Sequence, residues 1–507
     1  MNKQNQNSRK GDIAFIIVVY VLGTLNLFGT ESTIVSLFAS FCEYAIVLYY
    51  LFKGNYKFAY IFFLAFAATT LEVDIFVYGD KATAATHERY TFFHLPVLHM
   101  YLYDLLAFTF LYKSYKETIL KKYTIPPTYK LFIKCILIMF ITGSMSVIIG
   151  MFINDNNIMD YGYYPKVALM GILGFMIRAS VLVSALYITC NNKWHQICSK
   201  YLYFTLISLA FVCVTSALLG FKGFYGESYL MLSSLAVAYT PFLLIFVNIN
   251  AKVPHKSLAL IAGILVIVLS FAHPTCIGSK WYLIILVALA GWFILLLKIK
   301  SAWKIVGTTI IGLLLMTLIS QPLISLLSGG NDFVEWKLTQ AVNTVNIFGS
   351  NSAADWYDGL DDSPLFRIDE PHNTFIEYQN KPWFALFGKG FGGSTRHHTN
   401  LLSWERKAGA FSEDQVKTGA YYQMHETFAV LFLQNGILGL FFFFSLVTLL
   451  IKRLYKTPWA MVGLIYIAFY WAYGSALVIG GIAMILALHE SVSKKAGSTP
   501  GTPLVEL

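Results

Sequence analysis

MHETFAVLFLQNGILGL, Met424–Leu440, sets a single histidine at the head of an apolar helical run. Glycines follow His425 by 11 and 14 residues, at Gly436 and Gly439, and the run continues into a stretch long enough to cross a bilayer. The segment closes the long polar insertion of an otherwise apolar chain, so it marks where a water-facing region meets lipid. A protonatable side chain at such a boundary suits chemistry on a lipid-linked substrate.

The surrounding chain sets the class. Its 507 residues are 57% hydrophobic, with a mean hydropathy of +0.61. A soluble domain of this size cannot bury that much apolar surface, and the apolar residues fall in blocks that match a hydrocarbon core of ~30 Å. The runs are continuous and do not alternate, which excludes a β-barrel. The reading is an all-α polytopic membrane protein. Its candidate spans are 13–29, 33–52, 57–79, 96–112, 131–152, 167–190, 204–220, 228–250, 257–273, 281–298, 305–328, 427–451 and 458–488. The last is long enough for two short helices, which makes thirteen or fourteen spans.

A net charge of +10 suggests nucleic acid in a soluble protein, but its distribution does not. Outside Gly329–Gln423 there are 29 basic and 15 acidic residues; inside there are 8 and 12. Short loops on the side of the N-terminus carry 20 Lys and Arg, and the opposite short loops carry five. The positive-inside rule therefore places the N-terminus in the cytoplasm and Gly329–Gln423 outside. The first span lacks a small-residue cleavage site after it and reads as a retained anchor. The six cysteines lie outside the long loop and form no CxxC pair, which argues against a disulfide framework and a thiolate metal site. The organisation is a transmembrane bundle over 1–328, a loop unit over 329–423, further spans over 424–490 and a tail over 491–507. The end of the tail, AGSTPGTPLVEL, is linker-like in composition.

The loop is too rich in Trp, Phe and Tyr for a solvated spacer. Val334–Phe348 reads as an amphipathic helix, and Ile368–Phe387 as a helix interrupted at Pro382. A small helical unit on the membrane surface follows. It gathers Arg367, His372, Arg396, His397 and His398, with carboxylates at Asp361, Asp362, Asp369, Glu370 and Glu377. Arginine forks suit phosphate, histidine suits general base work, and histidine clusters suit metal. Adjacent residues such as His397 and His398 point apart on a helix or strand, which counts against metal. Each alone reads as a solvated loop histidine. Phe387–Gly393, FGKGFGG, lacks the flanking strand and helix of a nucleotide loop and reads as a turn with positive φ, with exposed amides near a lipid phosphate as the alternative. Arg178, inside a span, needs a partner or a polar cavity. Pairing with Glu72, Asp74 or Asp104 is one reading; binding substrate phosphate is the other.

The order Arg367, Pro382-Trp383, LFGKGFGG, then His425 with Gly436 and Gly439 before a span, resembles the O-antigen polymerase and ligase superfamily of membrane glycosyltransferases. The family motif reads roughly HNxxLxxLxxxGxxG. Here Glu426 stands for its Asn and Ala429 for a Leu. His372-Asn373 offers a rival pair, but Trp383 occupies its +11 position. The resemblance covers Arg367–Leu440 and the layout of many spans with one large late loop. It implies a GT-C-like fold in the bacterial inner membrane with a periplasmic loop. The implied donor is a glycan on undecaprenyl pyrophosphate, attacked by an acceptor hydroxyl without metal, nucleotide or other cofactor. Arg367, with Arg178, would bind the pyrophosphate; His425 would orient or deprotonate the acceptor hydroxyl. Arg396, His372, His398, Glu426 and Trp383 are the remaining expected substrate contacts. The partners are the lipid-linked oligosaccharide, membrane lipid and a chain-length regulator protein. Polymerase is the leading reading. Ligase differs only in its lipid A–core acceptor, and a flippase or a non-catalytic scaffold are the readings of other classes.

Overall fold

The structure is a computed structural model and describes residues 3–29, 32–70, 91–97, 100–120, 123–152, 165–190, 192–219, 244, 248, 254–272, 362–399, 411, 413–422, 424 and 427–454. Within these the regular structure is helical apart from a strand pair and an isolated bridge. The first helices are α1 (Lys3–Phe28), α2 (Thr33–Phe52) and α3 (Tyr56–Thr69). Strands β1 (Pro96–Val97) and β2 (Met100–Tyr101) come next. Then follow α4 (Leu102–Leu120), α5 (Pro127–Phe152), α6 (Pro165–Thr189), α7 (Asn192–Leu219) and α8 (Lys256–Ala272). The last group is α9 (Asp362–Asn380), α10 (Pro382–Phe387), α11 (Glu413–Thr418) and α12 (Thr427–Leu454).

Among the described residues, six helices hold a stretch long and apolar enough to cross a membrane: Lys10–Phe28, Thr33–Phe52, Tyr129–Ile148, Lys166–Thr189, Gln196–Ser216 and Phe428–Leu446. Helices suit this role because each satisfies its own backbone polar groups where lipid offers none. Shorter apolar helices occupy Tyr56–Thr69 and Lys256–Val266. The expected spans at 33–52, 131–152, 167–190, 257–273 and 427–451 correspond to α2, α5, α6, α8 and α12. α7 starts at Asn192, ahead of the expected 204, because Trp194 is held by the Phe58 ring and the Lys57 ammonium 3.9 Å from its own ring. The expected span 96–112 is corrected. Pro96 and Val97 pair with Tyr101 and Met100 in an antiparallel ribbon, and the helix starts only at Leu102. Asp104 favours that start by lying in the first turn. The helix then runs on through Lys113, Lys116 and Glu117, and Lys57 pairs with Glu117 at 3.2 Å. Apart from Leu244 and Asn248, the expected elements at 228–250, 281–298, 305–328, 334–348 and 458–488 lie outside the described residues, as do 71–79 and the tail.

Aromatic volume fills the bundle. α7 packs against α1, α3, α6 and α8, and α4 against α6. Phe15, Phe62, Phe66 and Phe92 form a chain of rings at 4.9, 5.6 and 5.9 Å. Lipid-embedded helices associate through van der Waals contact rather than escape from water, so this interlocking decides the packing. Buried hydroxyls find backbone acceptors: Tyr60 donates to the Val181 carbonyl at 2.7 Å, and Tyr44 to that of Phe92. α5 bridges this bundle to α12, against which α9 and α10 lie.

Candidate functional site

The apolar run that begins at Thr427 is a broken helix. Gly436 has φ 62° and ψ −158° inside α12, a conformation only glycine adopts readily. The break frees the preceding carbonyls, and the glycine-rich loop takes them. The Lys389 N–H donates to Leu433 O at 2.7 Å and that of Gly390 to Gln434 O at 3.0 Å. Tyr378 of α9 donates its hydroxyl to the same turn, 3.0 Å from Leu433 O. Asn435 reaches across to α5, donating to Met139 O at 2.7 Å.

The loop is wedged between helices. Gly390 has φ 80°, and a Cβ there would lie 2.5 Å from Gly143 O and 2.7 Å from Val147 N of α5. The Phe391 ring packs at a tilt against Phe175, centroids 5.4 Å apart, in space left by Gly143 and Gly171. The positive-φ turn expected of FGKGFGG is therefore present. Its use as a phosphate cradle is not: the amides of Lys389, Gly390, Phe391 and Gly393 all donate to protein carbonyls.

α9 carries the polar site. It ends as expected before Pro382, which cannot continue the ladder and opens α10 instead. Asp369, Asn373 and Glu377 recur every four residues and so share one face. The segment Thr395–Thr399 lies along that face. Asp369 receives the His397 ring at Nδ1, 2.9 Å away, and the Thr399 hydroxyl at 2.6 Å. The Asn373 side-chain oxygen accepts the backbone N–H groups of His398 at 2.5 Å and Thr399 at 3.1 Å. Glu377 accepts from the Lys389 ammonium, the Arg396 N–H at 2.6 Å, the Thr395 hydroxyl at 3.1 Å and His398 Nε2 at 3.0 Å. A backbone bridge from Thr395 to Tyr421 pins the outer side. Burial alone would raise the Glu377 pKa. The Lys389 charge and the hydrogen bonds from Lys389, Arg396 and His398 outweigh it and hold the carboxyl below its ordinary value. Lys389, almost fully buried, is lowered by burial, and Glu377 offsets only part of that.

Sequence-predicted residues divide four ways. Arg396 and His398 meet at Glu377 and face outward; the His398 side chain is 37% exposed. Arg367 and His372 are exposed on α9, and Trp383 is exposed on α10 beside Leu386 and Phe387. Arg178 is half-buried on α6, one turn past Phe175, with its guanidinium beside Gly174. Its expected partners Glu72 and Asp74 lie outside the described residues, as do His425 and Glu426. Met424, next to His425 in the chain, is buried with Leu365, Phe366, Phe411 and Tyr421.

One expectation is overturned. His397 is no solvated loop histidine: its side chain is 5% exposed, with the Tyr421 ring 4.2 Å and the Phe411 ring 5.5 Å away. The two adjacent histidines do point apart, to different carboxylates. Among the described residues, no group of three or more His, Cys, Asp and Glu is placed to hold a metal ion. Asp369 and Glu377 were among the carboxylates noted in the sequence, but their union with Asn373 on one helical face, and the role of Lys389, were not. The four-residue spacing within an expected helix was the available signal. Comparison with family models, curated proteins and solved structures yields no match to this chain.

Proposed function

We propose that the chain is an O-antigen polymerase. It transfers a growing glycan from undecaprenyl pyrophosphate to a hydroxyl of a second lipid-linked repeat unit, on the outer face of the bacterial inner membrane. The observation that carries this reading is the union of the motif glycine with a polar shelf. The break at Gly436 seats the glycine-rich loop, and that loop leads into Arg396, His397 and His398, held against α9. The glycine-rich loop that leads to the shelf packs against the C-terminal half of α5 and the N-terminal part of α6, away from the bundle end that carries Lys113, Lys116 and Lys130. By the lysine pattern that polar end reads as external, where polyprenyl-linked glycans are the available activated sugars.

In this scheme Arg367 and Arg178 bind the pyrophosphate and stabilise its growing charge. His425 engages the acceptor hydroxyl, Arg396, His372, His398 and Glu426 contact the substrate, and Trp383 stacks on a sugar ring. The test is complementation of a polymerase-null strain with His425→Ala and Arg367→Ala. The expected result is loss of the O-antigen ladder with one capped repeat retained. Wild-type ladders in both variants would remove the assignment, and loss of all capping would make the protein a ligase.

A further inference from the structure

His397 has one nitrogen too many for a structural residue. Its Nδ1 faces Asp369 Oδ2 at 2.9 Å, while Nε2 is buried with no hydrogen-bond partner among the described residues. A buried polar atom left without a hydrogen bond is costly, so its retention asks for an explanation. Asn373 Nδ2 also lies 3.3 Å from Nδ1, but it already donates to Asp369 O at 2.8 Å. The shorter contact to the carboxylate decides the tautomer: Nδ1–H donates to Asp369, and Nε2 keeps its lone pair. Asp369 is itself fully buried, and its second oxygen accepts from Thr399 at 2.6 Å. The carboxylate therefore cannot turn away, and the ring is locked. A base oriented by a fixed carboxylate is the arrangement that activates a hydroxyl.

We propose that His397 Nε2 is the proton acceptor for the attacking hydroxyl, with Asp369 as its positioning residue. This rests on the polymerase reading and divides its labour: His425 orients the acceptor, and His397 takes the proton. As the acceptor oxygen bonds to the anomeric carbon, its O–H proton passes to Nε2. The anomeric C–O bond to phosphate breaks, and its electron pair leaves with undecaprenyl pyrophosphate. The resulting imidazolium faces the Asp369 carboxylate and loses its proton to water before the next turn. Phe411 and Tyr421 flank the ring, at 5.5 and 4.2 Å.

The experiment uses the full-length protein in nanodiscs, with undecaprenyl-pyrophosphate-linked repeat unit from a polymerase-null host as the probe. His397→Ala is expected to lower kcat roughly 100-fold with KM nearly unchanged, and added imidazole is expected to restore much of the rate. Asp369→Asn keeps the side-chain volume and is expected to lower kcat similarly. A merely structural role would not yield imidazole rescue at an unchanged melting temperature. Wild-type kcat in either variant, or loss in a folded His397→Ala protein that imidazole does not restore, overturns the proposal. If His397→Ala fails to fold, Asp369→Asn decides alone. Elongation by wild type with no effect of these variants overturns this inference only; no elongation by wild type overturns the polymerase reading with it.

Discussion

The aromatic bundle around α3 and the junction between the glycine-rich loop and α12 are held by opposite means. In the first, Phe15, Phe62, Phe66 and Phe92 fill space with rings. In the second, Gly143, Gly171, Gly390 and Gly436 give space up, and backbone meets backbone. The first region loses stability when atoms are removed, the second when they are added. Only the second can present a broken helix, and a broken helix is what seats the loop that feeds the polar face of α9.

The largest effect is expected from Gly390→Val. A β-branched residue at φ 80°, with Cβ 2.5 Å from Gly143 O, combines backbone strain and overpacking worth about 5 kcal/mol. Limited proteolysis in detergent will show the loop released while the bundle survives. If the loop stays protected, the junction is not built on missing side chains. Phe66→Ala comes next. The ring is fully buried, and its removal costs about 3–5 kcal/mol, read as a lower melting temperature. A Phe66→Ala protein as stable as wild type would erase the contrast between the two regions.

Glu377→Gln is expected to be milder, about 3 kcal/mol, because it leaves Lys389 buried without its counter-charge. Its pH dependence has a fixed sign. The folded Glu377 pKa lies below its unfolded value of about 4.3, so its contribution is complete above that pH and is lost as pH falls through the lower folded value. Wild type should lose more melting temperature between about pH 5 and pH 3 than Glu377→Gln does. Equal losses would show that Glu377 does not hold the shelf.

Much of this was legible beforehand, for reasons that differ by residue. Apolar runs located α2, α5, α6, α8 and α12 because lipid leaves the backbone no other choice. Pro382 located the end of α9 because it removes a donor. The break at Gly436 was not legible. A glycine within an apolar helix reads as tolerated unless the partner for the freed carbonyls is known, and Lys389 and Gly390 each lie 44 residues before the carbonyl they take. His397 was misread for the same reason. Nothing near it in sequence announces that Tyr421 and Phe411 close over its ring. Local pattern finds an element; which distant segment it grips depends on tertiary contacts.

The most direct measurement is elongation by the purified protein given only undecaprenyl-pyrophosphate-linked repeat units, with a chelator present and no nucleotide. The expected result is a ladder of lipid-linked glycans spaced by one repeat. A folded, lipid-embedded protein that leaves the single repeat unextended would contradict it.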